Sequence, residues 1–150
     1  MPKNSVATFD TAMYGVALVL AGLVLPLFLI VPIHYLGASA VIEEIAKLLV
    51  VLFCILKLPS RRQQIIGALL FGLLFAFSEH ALYFSQIFRD GTFQVLWLRL
   101  IWVTPLHMVT PLVLLGFSRA GKWGIPVGLA LAIALHMAFN LIVPGLLVRV

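Results

Sequence analysis

Five apolar runs, near residues 11–31, 38–57, 64–86, 95–117 and 124–147, are each long enough to cross a lipid bilayer. A crossing takes about 20 mostly apolar residues. Inside hydrocarbon a backbone N–H or C=O finds no water, so each crossing must close its own hydrogen bonds as a helix. The expected fold is therefore all-α: a polytopic membrane helix bundle of about five transmembrane helices. Composition agrees, at 63% hydrophobic and 10% charged, where a soluble domain is nearer half and a quarter. Too little chain remains between the runs for a soluble domain, so residues 1–150 read as a single integral membrane domain.

The net charge of +5 is not a nucleic-acid signal, because the basic residues stand mostly at the ends of runs, where membrane topology explains them. The expected partner is the lipid bilayer, and no nucleic acid. Lys3, Lys57, Arg61, Arg62, Arg119 and Lys122 fall on one side, Arg89, Arg99 and Arg149 on the other. The positive-inside rule then puts the N-terminus in and the C-terminus out. Cys54 is the only cysteine, so no intramolecular disulfide is expected, and it reads as a small packing residue. "GASA" at 37–40 resembles a signal-peptide cleavage site. The apolar run before it exceeds the usual length of about 7–15 residues, so the first span is expected to be retained.

Charged and polar residues nevertheless interrupt the runs. Counted at 1.5 Å per residue, Glu43, Glu44, Glu79 and Asn140 lie roughly 8–10 Å below the outer surface, and His136 and His107 roughly 16–18 Å. Four helices of alternating direction thus bring polar groups to the outer half of the membrane or its middle. An unpaired charge there costs at least about 2.5–3.5 kcal/mol, and agreement in depth points to a shared site. Glu43 and Lys47 are four apart and Glu44 and Lys47 three, so Lys47 can neutralise a carboxylate within one turn. His136 and Asn140, four apart, can face one cavity. Pro105 and Pro111 bracket His107, and each removes a helical hydrogen bond. Such irregularity is tolerated at membrane depth where protein or a water-filled cavity covers it.

These motifs resemble those of PrsW-type intramembrane proteases. "EEIAK" at 43–47 is similar to their E-E-x-x-K, "FAFSE" at 75–79 to F-x-x-x-E, and "HMAFN" at 136–140 to H-x-x-x-N. His107 stands where a further helix supplies a histidine. The wider superfamily includes the CAAX prenyl proteases and, distantly, the scaffold subunit of gamma-secretase. CAAX-type members carry E-E-x-x-x-R and F-x-x-x-H, so the lysine and glutamate here favour the PrsW branch and argue against prenylated substrates.

The resemblance implies a metal-independent glutamate-type intramembrane endopeptidase in a prokaryotic cytoplasmic membrane. It implies no cofactor and no metal ligands, and a single-span membrane protein substrate such as an anti-sigma factor. In that reading Glu43 activates water and Glu44 helps or orients it, Glu79 holds the water or shares a proton, and His136 and Asn140 stabilise the oxyanion. His107 shapes the site or handles protons, with Lys47 and Phe75 in support. The residues alone leave open which of Glu43, Glu44 and Glu79 is the base. The chain lacks an H-E-x-x-H zinc motif and a G-x-S-x-G elbow.

Two other functions suit the same polar groups. A non-catalytic scaffold would use Glu43–Lys47 as a structural ion pair and His136–Asn140 as interhelical glue. A divalent-cation or proton transporter would use the glutamates and histidines as ligands. Elsewhere the plainer reading leads. His80 is expected to be structural and His34 to be a solvated loop residue. "GIPVG" at 124–128 reads as a weak packing signal. Trp97 and Trp123 are expected at the interface, and Trp102 is expected to pack.

Overall fold

The computed structural model of the chain describes residues 3–90 and 93–147. Within these residues five helices run in order: α1 Lys3–Leu36, α2 Ser39–Lys57, α3 Arg61–Asp90, α4 Phe93–Phe117 and α5 Gly124–Leu147. Among the described residues there is no strand. Among the described residues, four helices contain segments long and apolar enough to cross a membrane: Asp10–Leu36, Arg61–Phe84, Leu96–Phe117 and Gly124–Ile142. The protein is an integral membrane protein. α2, with Glu43, Glu44 and Lys47 inside its 19 residues, is not among the four. It is instead the helix that touches each of the other four, and that enclosure lets it carry charge.

The helices outrun the apolar stretches. α1 has 34 residues, about 51 Å at 1.5 Å each, against a hydrocarbon core of about 30 Å. Residues 3–10 contain neither glycine nor proline, so nothing stops the helix where hydrophobicity ends. Its far end stops at Gly37, whose φ of 65° lies in the left-handed region that glycine enters without penalty. The Gly37 N–H donates to Ile33 O at 2.9 Å. His34 is consequently an exposed residue in the last turn of α1, not a loop residue.

Between α2 and α3 the sequence "SRRQ" forms a capping box. Gln63 N–H donates to Ser60 Oγ at 3.2 Å, and Ser60 N–H donates to Gln63 Oε1 at 3.2 Å, satisfying amides that a helix start leaves open. Gln64 Nε2 donates to Leu58 O at 2.8 Å and closes the end of α2. Arg119, from the α4–α5 turn, donates in turn to Gln64 Oε1.

Apolar packing holds the bundle on both sides of α2. Leu48 and Val51 meet Ala68, Leu114, Leu115 and Ala132, while Ala46 meets Leu29, Phe71 and Phe75. Cys54 packs with Leu18 and Leu58. Two contacts bring backbones unusually close. A Cβ added at Gly22 of α1 would lie 2.7 Å from Leu74 Cβ. One added at Gly72 of α3 would lie 2.9 Å from both His107 C and Met108 Cα of α4. Gly124 and Gly128 pack against Phe117 at the α4–α5 turn. Trp97 and Trp123 face outward, and so does Trp102, half-exposed rather than packed as expected. Val103, His107, Thr110 and Leu114 form the buried stripe of α4, and Trp102 lies about 100° off Val103.

Candidate active site

The polar residues of α2, α3, α4 and α5 meet in one chain of contacts. Glu44 and Lys47 are wholly buried. Lys47 Nζ donates to Glu44 Oε1 at 2.6 Å, to His107 Nδ1 at 2.8 Å and to Thr110 Oγ1 at 3.4 Å. These three acceptors use all three ammonium hydrogens. Glu44 Oε1 also accepts from His136 Nδ1 at 2.8 Å. Beyond His107, its Nε2 lies 2.5 Å from Glu79 Oε2, and Arg99 Nη2 donates to Glu79 Oε1 at 2.7 Å. The sequence runs His136, Glu44, Lys47, His107, Glu79, Arg99, and joins α5, α2, α4 and α3. Each charge within this chain of contacts therefore has an opposite partner, as membrane depth requires.

Lys47 was expected to pair with one of the two adjacent glutamates, and it takes Glu44. Three and four residues are equivalent spacings on a helix. Glu44 Oε1 also meets His136, which arrives from α5, while His107 from α4 meets the lysine itself. Glu43 is thereby left over. Its Oε2 is buried and, among the described residues, has no hydrogen-bond partner. His136 Nε2 stands 3.9 Å from it.

Glu43 faces two cavities. One, of about 290 Å³, is lined by Glu43, Glu79, Arg99, His107, His136 and Asn140, with Tyr83 and apolar residues around them. The other, of about 370 Å³, lies between α1 and α3 and is mainly apolar. Phe75 lines the apolar cavity and lies against the buried lysine. It is 1% exposed, its ring is 5.0 Å from that of His107, and Lys47 Nζ lies 5.0 Å above it, in cation–π range. Pro111 explains part of the geometry on α4. Lacking an N–H, it leaves the His107 carbonyl without its helical donor, and Gly72 of α3 packs against that same carbonyl.

All six expected catalytic positions are in or beside this cluster. Glu43, Glu79, His107, His136 and Asn140 line the polar cavity, and Glu44 sits behind His136. Asn140 is exposed at its rim. His80 lies apart, with Nε2 3.0 Å from Thr104 Oγ1. Arg99 is the residue that sequence reasoning assigned elsewhere, as an outer-side charge. Its guanidinium holds Glu79 and stacks 4.0 Å from the Tyr83 ring centroid. The available signal was an arginine within an apolar run, whose nearest partner at that depth is Glu79.

Glu43, Glu79 and His107 offer ligand atoms within 4.8 Å of one another, a donor set of a kind that binds zinc. The protonation of His107 works against it. With Lys47 as an ammonium, which has only donors, His107 Nδ1 accepts from it and the ring proton of a neutral imidazole sits on Nε2. That nitrogen then faces Glu79 and has no lone pair to give a metal. In that protonation state the three residues do not fit a metal ion.

The sequence model of a family described as PrsW family intramembrane metalloprotease matches residues 6–149. No curated protein and no solved structure gives a significant match.

Proposed function

Because the chain belongs to the PrsW family of intramembrane proteases, we propose that it hydrolyses peptide bonds within the membrane by glutamate catalysis, with Glu43 as the base and no metal. The observation that carries this reading is the division of labour between adjacent carboxylates. Glu44 is tied through Oε1 to Lys47 and His136 and lines neither cavity, its free Oε2 included, whereas Glu43 presents a buried, unpartnered oxygen to a polar cavity. A base must be free to take a proton, and a positioned one contributes about 10²–10⁴-fold.

In the proposed reaction a water in the polar cavity gives one proton to Glu43 as its oxygen attacks the substrate carbonyl carbon. Glu79 Oε2 accepts the water's other hydrogen and orients it. His136 donates Nδ1–H to Glu44 and, when doubly protonated, Nε2–H to the developing oxyanion. Asn140 supplies an amide donor from the rim. Removing one such donor typically costs about 10²–10³-fold. Collapse of the intermediate breaks the C–N bond, and Glu43 returns its proton to the departing amine. Arg99 and His107 act by holding Glu79, and Lys47 by holding Glu44 and His107.

The family is described as one of metalloproteases. The Lys47–His107 contact supports the metal-free reading for this chain, and no step above runs through a metal. The substrate class we propose is a single-span membrane protein, such as an anti-sigma factor, in a prokaryotic cytoplasmic membrane. The test is cleavage of labelled single-span peptides by purified protein in detergent, wild type beside Glu43→Gln. Cleavage by the wild type that disappears in a variant with unchanged thermal melting supports the proposal. Equal cleavage by both rejects Glu43 as the base.

A further inference from the structure

We infer that the apolar cavity between α1 and α3 is the subsite for a bulky aliphatic or aromatic side chain of the substrate, carried by the residue adjoining the bond that is cut. The inference rests on the peptidase reading of the neighbouring polar cavity. It starts from the fact that the two cavities share Glu43, Glu79, Tyr83 and Ile33. A peptide group held where Glu43 and Glu79 can reach it has its flanking side chain within a bond or two of both walls. One direction leads to Arg99, His136 and Asn140; the other leads into Pro26, Leu29, Ile30, Ile33, Phe75 and Leu82.

The shape of this second cavity is set by the helices. Below it α1 and α3 are pressed together, with Gly22 against Leu74. Ser78 Oγ donates to Leu23 O at 2.7 Å and ties the two helices at the same level. Pro26 follows one turn later in α1, and from there the cavity opens. Its outer wall is not sealed: Ile30 is 48% and Tyr83 40% exposed, so the cavity communicates with the lipid side of the α1–α3 seam. At about 370 Å³ it falls at the small end of ligand pockets, which run about 300–1,000 Å³. It has room for a large side chain, and too little for a second helix.

The lining also decides the chemistry. Apart from Glu43 and Glu79 at the inner end, the Tyr83 hydroxyl and His34 near the outer end, the walls are apolar. A polar side chain placed there would exchange its hydrogen bonds for none. In lipid an apolar side chain gains little from leaving hydrocarbon, so preference arises from fit and close packing. Pocket fit of this kind discriminates by about 10–200-fold per methylene. Tyr83, stacked on Arg99 and lining both cavities, is the partition between the subsite and the reacting bond.

Two measurements test the subsite. The first compares kcat/KM on peptides with phenylalanine, leucine or alanine beside the cut bond, for wild type and Leu82→Trp. The wild type is expected to prefer the large residues by at least about 10-fold, and Leu82→Trp, which fills the cavity, to reduce that preference to near unity. The second needs no turnover. Single-span peptides with photo-leucine at successive apolar positions are irradiated with the Glu43→Gln variant. Crosslinks to Leu29, Ile30, Ile33 and Leu82 are expected to peak at one peptide position. An unchanged ratio in Leu82→Trp together with crosslinks spread elsewhere overturns the subsite and leaves the peptidase reading standing. Focused crosslinks without cleavage by the wild type show a side-chain pocket for a membrane segment but reject the peptidase reading, and with it the pocket's place beside a cut bond. Neither cleavage nor focused crosslinks rejects both.

Discussion

A methyl group at Gly72 is expected to disable the site without touching any polar side chain. At this glycine the backbones of α3 and α4 meet closely beside His107. A Cβ there would lie 2.9 Å from His107 C and Met108 Cα, and closer still to the His107 carbonyl oxygen. All three are backbone atoms, which cannot rotate away. Carbon atoms settle at about 3.5–4.0 Å, so α4 must withdraw by about 0.6–1.1 Å at His107. His107 Nδ1 lies 2.8 Å from Lys47 Nζ, and such a movement carries it past the hydrogen-bond limit of about 3.2 Å. Overpacking of this kind costs about 1–3 kcal/mol of stability, and a 1 Å misplacement costs about 10²-fold in rate. Gly116→Ala on α4 is the control, since a Cβ there meets nothing within 4 Å. The assay is kcat/KM on a cleaved single-span peptide together with thermal melting in detergent. A Gly72→Ala rate within twofold of the Gly116→Ala rate would refute the argument that backbone contact positions His107.

Glu44→Gln should lower stability by about 3–5 kcal/mol, because it strips the buried Lys47 of its carboxylate; thermal melting should fall steeply there and stay near wild type in Glu43→Gln. Arg99→Lys should reduce kcat/KM by about 10–100-fold, because a lysine keeps the charge but loses the planar fork and the stack on Tyr83. The pH profile of kcat should have a rising acid limb, since the proposed base Glu43 must be ionised; a rate flat from mildly acid to neutral pH would contradict that role. A reporter fused to the C-terminus should prove active only outside the cytoplasm, and a cytoplasmic signal would reverse the topology.

How much of this was legible in the sequence depends on which force decides each feature. Hydrocarbon enforces helices wherever an apolar run is long enough, and the five helices stand where the runs predict. Their ends were less readable. α1 starts at Lys3 and not near 11, because leaving the hydrocarbon does not oblige a helix to stop. The meeting of Glu43, Glu44, Glu79, His107 and His136 was foreshadowed by their similar depth, since isolated polar groups in lipid are costly. The pairing inside the cluster was not readable from α2 alone. By spacing Lys47 reaches both carboxylates, and the other partners of the pair, His107 and His136, come from α4 and α5. Arg99 was counted only as an outer-side charge, and its contact with Glu79 was not foreseen, because position near the start of a run does not say which neighbouring helix a side chain reaches. Trp102 was misread because depth was considered without direction; the inward stripe of α4 runs through Val103, His107, Thr110 and Leu114.

The most direct measurement of the central claim is turnover and metal content on the same purified sample after exhaustive chelation. Glutamate catalysis predicts full cleavage of a single-span peptide at metal content far below one ion per chain, and complete loss in Glu43→Gln. Activity that vanishes on chelation and returns with one equivalent of zinc would contradict it, and would require His107 Nε2 to give up the proton that the Lys47 contact places there.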